Sequence, residues 1–386
     1  MWIGACTSTI GTWMQTSAQA WLVYDLSKSS FYLGLDSFLA QIPIMLLSLI
    51  GGVFADRSDR RSQLLKSQYI QMVSAFLMTA LYFSGSYKGF WPILVLSFVV
   101  GIGQSFGGPA YQALLPSLVG KEDISNAIVL NSIQFNIARV IGPTLGGLTL
   151  ASLGAAWCFG LNGLSFLAVI WSLYIIKVGY VPAKSNEPIL DAMKEGIRFI
   201  RAKEGMEALI VLAFLMTLLG AQLTVFLPVF AREVFKQGPK TYTLLLVCAG
   251  SGSLVGAFVV AAIGKVRRQG RAMLVILGLL GLLIIAFSFS KWLPLACFVL
   301  FLSGGALLAS FSLVATLVQN ISTDEMRGRV MSVYNVAFRG GMPVGNLLLG
   351  SLVPRFGVST TIACSGGALC VVALYFLLIH RRISYI

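Results

Sequence analysis

Apolar stretches of about 20 residues, separated by short polar turns, recur along the whole chain. An α-helix of that length crosses a hydrocarbon core ~30 Å thick, so each stretch predicts a membrane-spanning helix. We therefore predict an all-α membrane protein with twelve transmembrane helices. The predicted spans are Trp2–Tyr24, Phe31–Ala55, Leu64–Gly85, Trp91–Leu114, Ser125–Leu153, Trp157–Lys177, Ala208–Phe230, Thr241–Gly264, Ala272–Phe289, Leu293–Val318, Gly328–Val353 and Thr360–His380.

Two arginines occupy equivalent places in the two halves of this pattern. Arg139 in FNIARVIGPTLGG and Arg339 in VAFRGGMPVGN each precede a proline by four residues, Pro143 and Pro343. An ionised side chain near the bilayer centre is costly unless it faces protein or a watery cavity, so this pair is a candidate functional site. Their common offset of 200 residues predicts a tandem repeat with six spans in each half.

The hydrophobic pattern breaks between Gly179 and Met206, and this break divides the chain. We predict an N-terminal six-helix bundle over residues 1–178, a cytoplasmic linker over 179–206 and a C-terminal six-helix bundle over 207–386. In the linker, apolar residues recur at helical spacing and basic residues take the other side. Such an amphipathic helix suits an anionic cytoplasmic leaflet, and a solvated linker is the alternative. The apolar residues are Leu190, Met193, Ile197 and Ile200, and the basic ones are Lys194, Arg198, Arg201 and Lys203.

Composition agrees with this class, and charge predicts an orientation. The chain has 57% hydrophobic and 11% charged residues, a mean hydropathy of +0.85 and a net charge of +14. If the turn after the second span is cytoplasmic, 19 lysines and arginines lie on that face and 7 on the other. The positive-inside rule then places both termini in the cytoplasm. The positive charge therefore reflects topology, and no nucleic-acid partner is expected.

The sequence argues against a metal site, a cofactor and an enzyme. Its six cysteines form no CxxC pair and are expected to be reduced packing residues, and its one histidine, His380, ends the last span. Residues 103–107 match the GxSxG pattern, but that nucleophile elbow needs a strand, a turn and a histidine base. A phosphate-binding loop is also missing, so ATP bound to this chain does not drive its function.

The turn after the second span carries a motif. In GGVFADRSDRRSQL, a glycine, an Asp-Arg pair and two further basic residues are spaced as Gly52, Asp56, Arg57, Arg60 and Arg61. This pattern resembles the signature loop of the major facilitator superfamily, in which such a turn latches the two halves in one state. The resemblance implies the major facilitator fold and a gating role for these residues. Positive-inside anchoring alone would explain the arginines but neither the aspartate nor the glycines.

The fifth span adds a direction of transport. Gly142, Pro143, Gly146 and Gly147 follow Ala138 in the pattern AxxxGPxxGG. This resembles the fifth-helix motif of drug antiporters in the superfamily, with alanine at the first position in place of glycine. Proline weakens a helix and small residues permit close packing, so we assign the Gly-Pro and Gly-Gly positions to gating. Ordinary glycine packing is the alternative.

Three further phrases narrow the resemblance. ALLPSLVGKEDISNAIVLNS, DAMKEGIRFIR and RGRVMSVYN resemble the bacterial branch that includes the enterobactin exporter and many macrolide and multidrug efflux proteins. The resemblance covers almost the whole chain and implies export of small molecules.

The depth of the two arginines suggests a substrate site. Their spans begin near Ser125 and Glu325, so Arg139 and Arg339 each lie 14 residues further on, about 20 Å from the cytoplasmic end. In folds built from parallel repeats, substrates bind near that depth, at the interface of the halves. Two fixed cations there would select anionic or phenolic amphipathic substrates. Alternatively, each arginine ties neighbouring helices through backbone carbonyls freed by its proline.

Other polar and aromatic side chains would line the same cavity if the family arrangement holds, although such groups can equally hold helices together. These candidates are Gln15, Gln19, Gln104, Tyr111 and Gln222.

Asp36 is the one carboxylate inside a predicted span and away from its ends. It is a candidate for proton coupling, with an ion pair to an arginine or simple access to outside water as alternatives. Proton-coupled drug exporters of the superfamily commonly carry an arginine in the fourth span, and Trp91–Leu115 contains none. The usual proton relay of such exporters is therefore incomplete here.

These observations predict a secondary active transporter that exports small amphipathic molecules, anionic or phenolic, such as siderophores or drugs, by alternating access. A lysophospholipid or lipid flippase is the first alternative, and a non-transporting membrane sensor or scaffold is the second. We expect a monomer whose partners are its small-molecule substrate and membrane lipid, with proton coupling left open.

Overall fold

A computed structural model describes residues 1–85, 89–176, 189–263, 268–323 and 325–378. Within these ranges the secondary structure is helical, without a strand. The chain divides into two compact units. The first comprises Met1–Asn186 with Gly238–Thr243, and the second comprises Glu187–Gln237 with Leu244–Ile386.

The first unit contains six long helices. They are α1 (Trp2–Ser27), α2 (Ser30–Arg57), α3 (Arg60–Phe83), α4 (Trp91–Leu114), α5 (Ile124–Ser152) and α6 (Ala155–Ile175). Helix α1 packs on α5 and α6, α2 packs on α4, and α3 packs on α4 and α6. Its buried apolar residues range from small to large, for example Ala18, Ala75 and Phe159.

The second unit begins with a 14-residue amphipathic helix. Its helices are α7 (Ile189–Ala202), α8 (Met206–Leu219), α9 (Leu227–Val229), α10 (Pro239–Ile263), α11 (Gln269–Phe289), α12 (Leu293–Ile321), α13 (Arg327–Phe356) and α14 (Val358–Leu378). Helix α11 packs on α12 and α14, and α13 packs on α7 and α8. The first residues of α10, up to Thr243, belong to the first unit.

Nine stretches among the described residues are long and apolar enough to cross a membrane. They are Ser30–Ser48, Trp91–Leu118, Ala155–Ile175, Met206–Val234, Pro239–Val260, Gln269–Phe289, Leu293–Ile321, Arg327–Phe356 and Val358–Leu378. Helices α1, α3 and α5 have 26, 24 and 29 residues but fall outside this set. Each carries several glutamines, asparagines or hydroxyl side chains, which lower its hydropathy. The all-α membrane fold is confirmed, while the exact count of twelve spans stays a prediction.

The seventh predicted span is interrupted. Helix α8 ends at Leu219, and the chain continues through a 3-10 turn (Ala221–Thr224), the short α9 and a π-helical turn (Phe230–Val234). By contrast, α5 and α13 continue through Pro143 and Pro343.

The amphipathic helix of the predicted linker forms and docks on α13. A Cβ atom at Gly196 would lie 2.9 Å from the carbonyl oxygen of Arg329, and Ile200 is buried. Glu195 forms an ion pair with Arg329. Residues 177–188, which contain the start of the predicted linker, lie outside the described ranges, so its boundaries stay a prediction.

Candidate functional site

Arg139 lies beside a stripe of small residues through which α5 packs on α1. Ala138 is fully buried. A Cβ atom at Gly142 would lie 2.4 Å from Cβ of Trp13, and one at Gly146 would lie 2.9 Å from the carbonyl oxygen of Met14. Because real Cβ atoms do not approach so closely, α5 reaches α1 only with glycine at these two positions.

Helix α13 packs on α8 through a similar stripe that is shifted by one residue. A Cβ atom at Gly341 would lie 2.4 Å from the carbonyl oxygen of Phe214, and one at Gly345 would lie 2.3 Å from that of Leu218. Gly341 comes two residues after Arg339, whereas Gly142 comes three residues after Arg139. The repeat is therefore exact in the position of the arginine but not in the position of the glycines.

This shift turns the two arginines differently with respect to their packing stripes. At about 100° per residue, Arg139 lies roughly 60° from Gly142, while Arg339 lies roughly 160° from Gly341. Arg139 is accordingly half-buried at the edge of the α1–α5 contact. Arg339 is exposed on the side of α13 away from α8.

Neither guanidinium group has a partner among the residues that the structure describes. Neither makes a hydrogen bond or an ion pair with any residue in the ranges that the structure describes. In particular, neither donates to a backbone carbonyl freed by Pro143 or Pro343, as the helix-tying alternative would require. Each group keeps five N–H donors in a planar fork for another acceptor.

Asp36 lies where α1, α2 and α4 meet, with only 6% of its surface exposed. Nε2 of Gln19 donates to the two carboxylate oxygens at 2.9 and 3.0 Å. The hydroxyl of Ser97 donates to Oδ1, and Gln19 also donates to Ser97 Oγ at 2.7 Å. The carboxylate thus has neutral partners and no ion pair in the described part of the chain. The sequence analysis singled out Asp36 and Gln19 but not Ser97, which bonds to both of them.

Gln15, Gln104 and Tyr111 each connect two helices of the first unit. Oε1 of Gln15 accepts a hydrogen bond from Asn162 on α6 at 2.6 Å. Nε2 of Gln104 donates to Gln71 on α3 at 3.3 Å, and Tyr111 donates to Asn131 on α5 at 3.0 Å. All three predicted side chains are half-buried, so they hold helices together and also keep some exposed surface.

Gln222 is fully buried in the 3-10 turn that follows α8. Its Nε2 donates to the carbonyl oxygen of Thr217 at 2.6 Å and to that of Met342 on α13 at 3.5 Å. The last carbonyls of α8 have no intrahelical donor because the helix ends at Leu219, and the amide supplies one. This geometry favours a packing role for Gln222 over contact with a substrate.

The basic turn after α2 ties helix ends together within the first unit. Nη1 of Arg60 donates to the carbonyl oxygen of Ala113 at the end of α4, at 2.9 Å. Nη2 of Arg61 donates to that of Tyr174 at the end of α6, at 3.1 Å. Arg57 is exposed. The side chain of Asp56 lies outside the described part of the structure.

Close packing at this turn uses residues that the motif does not include. Gly52 has open space where a Cβ would be, whereas a Cβ at Gly51 would lie 2.3 Å from the carbonyl oxygen of Ser105 on α4. Gln63 is buried and donates to the carbonyl oxygens of Gly51 and Phe106, both at 2.9 Å. Sequence reasoning missed Gln63 because its partners are backbone atoms of other helices.

The remaining motif position, Gly147, contacts the start of α10. A Cβ there would overlap the side chain of Thr243, which belongs to the same unit.

As for metals, the described residues contain no group of three His, Cys, Asp or Glu side chains that could hold one.

The family comparison covers nearly the whole chain. The model of the transmembrane secretion effector family, part of the major facilitator superfamily, matches residues 1–383. The chain belongs to this family. It is therefore a multi-pass membrane transporter, not an enzyme.

Curated relatives and solved structures agree with this assignment. The staphyloferrin A transporter of Staphylococcus aureus is 25% identical, over 97% of this chain and 94% of its own length. The enterobactin exporter of Shigella boydii is 26% identical, over 92% and 84% respectively. The crystal structure of a bacterial homologue of the human lysosomal transporter Spinster superposes with a TM-score of 0.75 at 17% identity, over 99% of this chain and 97% of that chain. The predicted resemblance to the superfamily and to the enterobactin exporter is confirmed.

Proposed function

We propose that the protein exports small amphipathic molecules that carry anionic or phenolic oxygens, such as siderophores, by alternating access. The observation that carries this proposal is the pair of guanidinium groups without a partner in the described structure, one on α5 and one on α13. The names of the two relatives, which concern siderophores, support the same class of substrate.

The chemistry of the arginines favours oxygen anions. A cation in a membrane-spanning helix without a partner is costly, and an anionic ligand offsets that cost when it binds. Paired oxygens of a carboxylate or a catecholate match the planar guanidinium fork and accept two hydrogen bonds from it. Arg339, which is exposed on α13, is the better placed of the two to receive a ligand.

We assign proton exchange to Asp36. Gln19 and Ser97 offer it neutral partners only, so gain or loss of a proton changes the charge of this site with no compensating ion pair. The two states differ in their cost of burial, which couples proton binding to movement of α1, α2 or α4. This coupling does not use the fourth-span arginine that the chain lacks.

The remaining assignments follow the family. The turn after α2, with Arg57, Arg60, Arg61 and Asp56, is proposed as a gate, and so are the glycines of α5. The protein is placed in the bacterial inner membrane with both termini in the cytoplasm.

A binding experiment with matched arginine variants tests the substrate class. Thermal shift of purified Arg339→Ala, Arg339→Lys and Arg355→Ala is measured with enterobactin-type catecholates, a lysophospholipid and a neutral macrolide. Arg355 is the control because it is exposed on the same helix, near its end. We expect catecholate affinity to fall at least tenfold in both Arg339 variants and to stay unchanged in Arg355→Ala.

Other outcomes would contradict the proposal. Stronger stabilisation of the parent by lysophospholipid than by catecholate would favour a lipid flippase. Unchanged catecholate affinity in a folded Arg339→Ala variant would remove the anion site.

A further inference from the structure

Two cysteines of the second unit meet at a helix contact that the transport proposal does not use. Cys248 lies on α10 and Cys297 on α12, and both are half-buried and reduced. The two thiols are close enough to influence each other electrostatically.

The packing of α10 on α12 explains why these thiols meet. A Cβ atom at Gly252 would lie 1.8 Å from the carbonyl oxygen of Phe301, and one at Gly256 would lie 2.6 Å from Cα of Gly305. From the first contact to the second, the position advances by four residues on each helix. The two helices therefore run in the same direction here, and each successive turn of α10 faces the corresponding turn of α12.

Cys248 and Cys297 are the next pair in this register. Each lies four residues before its counterpart in the Gly252–Phe301 contact, so each is on the same helix face, one turn earlier. The hydroxyl of Ser253 donates to the carbonyl oxygen of Gly304 at 3.1 Å and holds the register. The glycines bring the backbones of α10 and α12 together. The cysteines lie one turn before this glycine contact, where side chains fit between the two helices.

The other cysteines are engaged elsewhere or stand apart. The thiol of Cys158 donates to the carbonyl oxygen of Gly146, and that of Cys370 donates to the carbonyl oxygen of Gly278. Cys364 is exposed. In the described part of the second unit, Cys248 and Cys297 are thus the two thiols that share one helix contact.

We infer that Cys248 and Cys297 form an oxidisable pair that closes to a disulfide between α10 and α12. A thiolate of the pair attacks a small disulfide oxidant and releases one thiol. The second cysteine then attacks the mixed disulfide and releases the other thiol. Two S–H bonds of the protein are replaced by one S–S bond, and the two electrons and two protons pass to the oxidant. The bond fixes the two helices against sliding along their glycine contact.

The position of the pair permits attack from one end of the helices. Cys297 lies four residues after Leu293, the first residue of α12, which is about 6 Å along the helix axis. In the predicted topology this end faces the outside, where disulfides persist.

Cross-linking in native membranes tests the inference. The full chain is treated with copper(II) phenanthroline, free thiols are blocked with a maleimide, and the digest is searched for a peptide that joins residues 248 and 297. We expect this species to dominate, to vanish with dithiothreitol and to be missing from Cys248→Ala.

A displaced thiol supplies the matched control. In Leu246→Cys combined with Cys248→Ala, the thiol is turned roughly 160° around α10, so cross-linking to Cys297 should fall at least tenfold. Equal cross-linking in this control would show random collision and overturn the inference. Recovery of both thiols as maleimide adducts at every oxidant concentration, or pairing with other cysteines, would overturn it as well.

Discussion

Arg139 and Arg339 have the same place in the repeat but different surroundings. Arg139 is half-buried next to the α1–α5 contact, and Arg339 is exposed on the far side of α13 from α8. Two residues that a sequence repeat makes equivalent therefore have different energetic roles. We expect Arg339→Ala to fold as the parent does, because no packing contact to α8 depends on it.

Gln222 is the residue whose predicted and observed surroundings differ most. Replacing it with alanine leaves the carbonyl oxygen of Thr217 without a donor, which costs roughly 1–3 kcal/mol for a buried group. We expect Gln222→Ala to lower the thermal unfolding temperature and to leave substrate affinity within a few-fold. Gln104→Ala, measured beside it, should be milder because Gln104 is only half-buried and its bond to Gln71 is long. Loss of binding by a normally stable Gln222→Ala would restore the substrate-contact interpretation.

Asp36 carries the prediction on pH. Asp36→Asn keeps a side chain of the same shape but cannot release a carboxyl proton, so transport by this variant should depend less on pH than transport by the parent. Asp25→Asn is the control, because Asp25 pairs with Lys28 at the end of α1. Rates are measured in proteoliposomes with the internal and external pH set separately. A parent-like pH profile in Asp36→Asn would exclude this residue as the proton site.

At the level of helices, close contacts in both units depend on glycine. The contact of α5 with α1 and that of α13 with α8 each leave no room for a methyl group. Such contacts make each helix pair a single packed body, since the backbones touch over more than one turn.

Gly142→Ala and Gly341→Ala test these contacts. The added Cβ has to displace backbone atoms, and we expect a destabilisation of about 1–3 kcal/mol, seen as a lower unfolding temperature in detergent. Gly108→Ala is the control, because its Cβ would meet open space and alanine favours a helix. Equal stability of all three variants would show that the helices can separate without loss.

At the scale of the whole molecule, the main prediction concerns the orientation of the chain in the membrane. Single cysteines at Ser58 and Gln269, in a background without native cysteines, should react with a membrane-impermeant maleimide only from the cytoplasmic side. One at Gly238 should react only from outside. Sided labelling of inverted and right-side-out vesicles measures this, and the reverse pattern at two of the positions would overturn the topology.

Helix positions could be predicted from the sequence because they depend on local properties, namely the length of each apolar stretch and the positions of glycine and proline near its ends. The pairing of Asp36 with Ser97, and that of Gln63 with carbonyl oxygens of α2 and α4, could not be, since these contacts join residues far apart in the chain. The end of α8 at Leu219 was also missed, because the stretch from Met206 to Val234 stays strongly apolar on average despite Gln222 and Thr224. The arginines were found by their charge, but their burial depends on neighbours.

The number of residues from each arginine to its first packing glycine sets the angle around the helix axis between the arginine and the packing face. Three residues in α5 and two in α13 point the two guanidinium groups to different sides of their helices. Deleting one residue from that interval in α5 would turn Arg139 by about 100° while leaving the glycine contact in place. In any relative with the same repeat, the length of this interval would tell which way each arginine faces.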